Sequence, residues 1–164
     1  MELSVYPETR FFGRGMVRAA RAVRYNGCMR LSRKRFEQLV ARGINLIPRR
    51  FLEKLENVAV VVEDEPTAEQ LRSVGITDPA ETLLGLYEGV SQAAGGRYHR
   101  DLPDRITVFQ KPIEAEARNE DEIAEIVADT VWHEIAHHFG MEEHEVERAE
   151  KRRSAVRDET QHGK

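Results

Sequence analysis

The residues best suited to chemistry in this chain are His133, Glu134 and His137, in the run His133-Glu134-Ile135-Ala136-His137. On a helix of 3.6 residues per turn, two His four apart differ in direction by only about 40°. Both neutral imidazoles can then face one ion, an arrangement that Zn²⁺ accepts. Glu134, offset by one residue, can reach a water at that ion without being a ligand, which is where a general base is needed. Zinc lowers the pKa of such a water to about 7, so hydrolysis at neutral pH is the chemistry implied. The alternative is a pair of core imidazoles satisfied by backbone carbonyls, and unpaired they are costly to bury.

Catalytic zinc sites usually take three protein ligands. Gly140 is suited to turn the chain back after the helix, and ten residues from His133 stands Glu143, giving HExxHxxGxxE. Glu143 is the expected third ligand, with Glu142, His144 and Glu147 as competitors. Each of these acids also suits a solvated turn or a helix N-terminus. His138 points about 100° from His137 and suits a supporting or surface position better than a ligand.

These side chains need a rigid helix, and the pattern is helical from Glu120 to Phe139. Ile123, Ile126, Val127 and Thr130 share a face that Ala124, Ala128, Val131 and Ile135 widen, so the helix is expected to be buried over more than half its circumference. The run Val58 to Val62 has the β-branched enrichment of a strand buried on both faces. Leu83 to Glu88 and Arg105 to Phe109 read as two further strands, separated by a Gly-rich link from Gly89 to Asp104. Ser32 can cap a helix bearing Phe36, Leu39 and Val40 and ending at Gly43. Pro48 suits the first turn of the next helix, with Phe51, Leu52 and Leu55 inward. Thr67 can cap a short helix through Leu71. A charged helix is expected from Glu143 to about Val156.

The 164 residues suit one domain, and 40% hydrophobic against 33% charged residues is a globular composition. The longest stretch without Lys, Arg, Asp or Glu, Gly89 to Gly96, is too short to span a bilayer. One cysteine, Cys28, and the lack of a secretory signal pattern fit a cytoplasmic location. Charge is uneven: six Arg against Glu2 and Glu8 give residues 1–30 a formal charge of +4 and the remainder −8. The acidic body is not expected to bind nucleic acid. Arg14, Arg18, Arg21 and Arg24 fall at helical intervals, so residues 1–30 suit either an amphipathic helix or a basic, poorly packed extension. The expected organisation is extension 1–30, catalytic domain 31–157 and tail 158–164.

The segments VWHEIAHHFGMEE, VAVVVEDEP (Val58 to Pro66), LLGLYEGV (Leu83 to Val90) and LPDRITVF (Leu102 to Phe109) together resemble the small bacterial zincin-like metallopeptidase family over roughly Leu31 to Val146. The resemblance implies an α+β, compact zincin-like fold, with a three- to four-stranded sheet packed against the motif-bearing helix. It implies a zinc-dependent peptidase acting on peptides or unfolded proteins, in which His133 and His137 bind the metal and Glu134 is catalytic. Relatives commonly carry Asp where this chain has Glu143. No Met follows Met141, so the methionine turn of larger metzincins is missing, and an open, shallow cleft is expected. Tyr87, Tyr98, His99 and His138 are the candidates for an oxyanion donor. LLGLYE is a candidate edge for adding a substrate strand, or else an ordinary core strand. The alternative function is a catalytically weak metal-binding or protein-binding module on the same scaffold.

Overall fold

The computed structural model describes residues 17–21, 29–53, 58–89, 104–138, 141 and 148. Strand β1 (Val17–Arg21) precedes helices α1 (Arg33–Asn45) and α2 (Arg49–Leu52), strand β2 (Val58–Glu63) and helix α3 (Ala68–Ser73). Strands β3 (Glu81–Glu88) and β4 (Asp104–Phe109) and helices α4 (Gln110–Glu116) and α5 (Glu120–His138) follow. No described helix is long and apolar enough to cross a membrane.

Local chemistry explains the starts and stops. The Ser32 hydroxyl accepts the Arg35 amide at 3.3 Å at the head of α1. Thr67 and Gln70 form a reciprocal capping box on α3, each side chain accepting the other's amide. α3 closes with Ile76 N–H donating to Leu71 C=O across Gly75, whose φ is 77°. Past α5, Met141 N–H donates to Ala136 C=O at 3.1 Å and Met141 packs against the core, while Phe139 and Gly140, the turn expected from the sequence, lie outside the described residues. Pro48 stands at the N-cap of α2.

The four strands form one sheet in the order β1-β3-β4-β2, a mixed sheet with β2 parallel to β4 and the other pairs antiparallel. An α+β architecture follows, with the small sheet packed against the motif-bearing helix, as expected. Some particulars differ from the sequence reading. Val58 to Val62 is an edge strand of half-buried residues rather than one buried on both faces, because only β4 pairs with it. LLGLYE is an inner strand, flanked by β1 and β4, so its edge is not open. Within the N-terminal thirty residues, Val17–Arg21 form a strand where the Arg spacing suggested a helix. The segments beyond Arg148, and Leu55, lie outside the described residues.

α5 packs across one face of the sheet and is held from the other side by α1. Ile123, Val127, Val131 and Ile135 join Phe36, Leu39, Leu84, Ile106 and Val108 in the main core. Phe51 of α2 meets Trp132 edge-on, ring centroids 4.3 Å apart, which fixes the middle of α5 against that helix. A smaller cluster, Val74, Ile76, Leu83, Leu86 and Phe109, covers the opposite face of the sheet. Exposed pairs, Arg35 with Glu120 and Arg42 with Asp121, join α1 to the first turn of α5 and add little energy.

Gly43 does not end α1, which runs on to Asn45; it lies where α1 crosses α5. A Cβ at Gly43 would stand 2.5 Å from Ala124 C=O and 2.9 Å from Val127 Cγ1, so the close crossing depends on its absence. Gly43→Ala is expected to destabilise the protein by about 1–3 kcal/mol, read by denaturant unfolding, even though Ala is the better helix former.

Candidate active site

Glu134 is wholly buried, at 0% exposure, and neighbouring His133 is at 1%. A buried carboxylate demands polar partners. One comes from the sheet: the backbone N–H of Tyr87 donates to Glu134 Oε2 at 3.2 Å, linking α5 to β3 across 47 residues of sequence. His133 and position 137 fall one turn apart on the continuous helix, on the same side. The motif thus sits where α5 meets the last residues of β3.

Two features of β3 make the meeting possible. The first is a bulge. β1 pairs Arg18 with Gly85 and Ala19 with Leu83, leaving Leu84 unopposed. Across this bulge the facing of side chains shifts by one. Leu83 and Leu86 join the small cluster, whereas Leu84 and Tyr87 join the core under α5. The Tyr87 side chain is thereby on the helix side, opposite Ile106 of β4.

The second is Gly85. A Cβ there would stand 2.4 Å from Thr130 Cγ2 and 3.2 Å from Thr107 C=O. Thr130 lies one turn before Glu134, so a side chain at position 85 would push away the part of the helix that carries the carboxylate. Gly within a strand pattern is itself a sign of close backbone approach.

Tyr87 is anchored at its other end, where its hydroxyl donates to Asp104 Oδ2 at 2.6 Å. Burial, reinforced by the Asp104 carboxylate, pushes the phenol pKa well up, so the group remains a neutral donor through neutral and mildly alkaline pH. As an oxyanion candidate the Tyr87 hydroxyl is already engaged, and it is the backbone amide of this residue that addresses the motif. Beyond it, Glu88 accepts from Arg105 at 2.6 Å and from Thr107 Oγ1 at 3.2 Å, bracing β3 against β4. On the far side of β4, Gln110 donates to Glu114 at 2.7 Å and to Leu31 C=O at 3.1 Å, tying α4 to the segment entering α1.

The other sequence candidates, Glu142, Glu143, His144, Glu147, Tyr98 and His99, and the side chains of His137 and His138, lie outside the described residues. Among the described residues no three His, Cys, Asp or Glu side chains form a metal-binding group. The donor chemistry nevertheless suits a divalent metal: a buried imidazole, a second His one helical turn on, and a buried carboxylate adjacent. The Tyr87 amide contact was not legible in the motif, because a backbone donor leaves no residue signature; Gly85 was the available clue.

Comparison with known proteins gives a match to the family model for zincin-like metallopeptidases over residues 55–153. No curated protein matches the chain. The matched span contains β2, α3, β3, β4, α4, α5 and the motif, and it leaves out β1, α1 and α2.

The contact between Gly85 and Thr130 can be tested by a double-mutant cycle. Gly85→Ala is expected to cost about 1–3 kcal/mol of stability. Thr130→Ser, which removes Cγ2, should relieve about 1 kcal/mol of that cost. Additive losses in denaturant unfolding would mean that the two positions do not meet.

Proposed function

The chain belongs to the zincin-like metallopeptidase family, and from that premise we propose that it is a zinc-dependent peptidase in which Glu134 is the general base. The observation that carries the proposal is a fully buried carboxylate, adjacent to a buried His on one helix, with an oxygen held by the Tyr87 amide. A purely structural glutamate would more economically be an apolar residue, since burying the charge is costly.

His133 and His137 are the proposed nitrogen ligands of the zinc and Glu143 the third protein ligand. When bound, the metal supplies Lewis acidity to the scissile carbonyl and to the attacking water. Glu134 takes a proton from that water as its oxygen forms a bond to the carbonyl carbon. It then delivers the proton to the departing amine as the C–N bond breaks, leaving a carboxylic acid and an amine. The Tyr87 amide orients the carboxylate and stabilises its charged form, through a hydrogen bond that requires no side-chain ordering. The apolar packing of Val131, Trp132 and Ile135 fixes the helix turn on which this exchange occurs. Substrates are extended peptides or unfolded proteins.

His133→Ala and His137→Ala are each expected to abolish stoichiometric zinc retention, read by elemental analysis after gel filtration. Retention by both would contradict the ligand assignment. Glu134→Gln should keep zinc and fold yet lose about 10²–10⁴-fold in peptide hydrolysis, because an amide cannot take the proton. Cleavage at the parent rate would remove Glu134 from the mechanism. Glu143→Ala should weaken zinc binding strongly, whereas Glu143→Asp should nearly preserve it. If Glu142, His144 or Glu147 is instead the residue whose removal releases zinc, Glu143 is not the third ligand.

A further inference from the structure

We propose that Asp104 is a positioning residue for Glu134, acting through the length of Tyr87. The two ends of this tyrosine have separate tasks: its amide donates to Glu134 Oε2 at 3.2 Å, and its hydroxyl donates to Asp104 Oδ2 at 2.6 Å. Fixing the hydroxyl end restrains the residue whose main chain holds the carboxylate. A base must meet its water at hydrogen-bond distance, and misplacement by about 1 Å can slow a reaction about 10²-fold. The consequence for catalysis rests on the peptidase reading; the link from Asp104 to the amide does not.

The place of the amide makes such a link necessary. Among the described residues β1 pairs with β3 no further than Leu86, so Tyr87 and Glu88 pair with β4 alone, opposite Ile106 and Arg105. A strand end paired on one side opens more readily than one paired on both. The Tyr87 ring lies in the core under α5, at 4% exposure, and Asp104, two residues before Ile106 on β4, is on that same face. The hydroxyl bond thus ties the end of β3 to the start of β4 on the face that carries Glu134.

Three observations separate this bond from an ordinary strand staple. The opposite face of the same two strands already has one, from Arg105 to Glu88 at 2.6 Å. A phenylalanine at position 87 would fill the core without a hydroxyl to bury, and burying one is unfavourable unless it is given a partner. Finally, the acceptor has its own seat. A Cβ at exposed Gly89 would stand 2.2 Å from Asp104 Oδ1 and 2.5 Å from its Cγ, so the carboxylate occupies the space that a side chain at position 89 would take.

The test uses the full chain as parent, Tyr87→Phe, Gly89→Ala, Asp104→Ala and Asp104→Asn. Tyr87→Phe keeps the ring and the amide and removes only the hydroxyl, so it decides the matter even where an Asp104 variant fails to fold. In hydrogen exchange followed by NMR without zinc, the residue 87 amide should exchange at least about tenfold faster in Tyr87→Phe, Gly89→Ala and Asp104→Ala than in the parent, while the amides of the β2–β4 ladder keep their protection. Asp104→Asn retains an acceptor oxygen and should stay within about threefold of the parent. Unchanged protection of residue 87 in Tyr87→Phe would overturn the link, and a loss shared equally by β2 and β4 would reduce the pair to a support of the fold and overturn the proposal. With zinc and a fluorophore-labelled unfolded protein as substrate, kcat should fall at least about fivefold in the same three variants with KM within about twofold, and Asp104→Asn should restore it. Faster exchange with parental kcat, or a raised KM alone, would overturn the positioning role. Tyr87→Phe/Asp104→Ala should be no slower than the slower single variant, since both remove one bond, and additive losses would count against the pair. If the parent cleaves nothing while the exchange result holds, the peptidase reading fails and the link stands; parental cleavage by every variant with unchanged exchange defeats the link alone.

Discussion

The bond from the Tyr87 amide to Glu134 is the constraint around which this molecule is arranged. A wholly buried carboxylate is tolerated only where donors reach it, and here an identified donor is a strand backbone rather than a side chain. To bring the two together, α5 must lie against the sheet at close range. Gly85 gives it that range, and the bulge at Leu84 sets which residues of β3 face it. The rest of the core holds this arrangement in place: α1 presses α5 from behind at Gly43, Phe51 packs on Trp132, and Asp104 fixes the Tyr87 ring.

The same contact fixes where the motif lies along the sheet. β1 pairs with β3 as far as Leu86, one residue before the amide that meets Glu134, so the carboxylate is joined to the strand just past the end of that ladder.

Much of this was legible in the sequence, for identifiable reasons. Val58–Glu63, Glu81–Glu88 and Asp104–Phe109 announce themselves by β-branched and apolar runs between turn residues, and Ser32 and Thr67 by their capping chemistry. The burial of α5 follows from apolar positions around most of its circumference. Other features depend on tertiary context. β1 reads VRAAR, which carries no strand pattern and owes its conformation to an available edge. α4 has Pro112 within its first turn and too few residues for a helical period. Gly43 resembles a helix stop in sequence and is instead a helix crossing, because packing against Ala124 and Val127 overrides its poor propensity. At the site, the motif spacing drew attention to His133 and Glu134, while the main-chain donor that meets the Glu134 carboxylate could be found only in three dimensions.

The most direct test of this arrangement is amide hydrogen exchange at Tyr87, followed by NMR in the parent and in Glu134→Ala. If the carboxylate is the acceptor that holds this amide, removing it should speed exchange at Tyr87 by at least about tenfold while the amides of β4 keep their protection, since local opening is then no longer opposed by that bond. Equal protection of Tyr87 in the two proteins would contradict the account, because the helix and the strand would not be joined through Glu134.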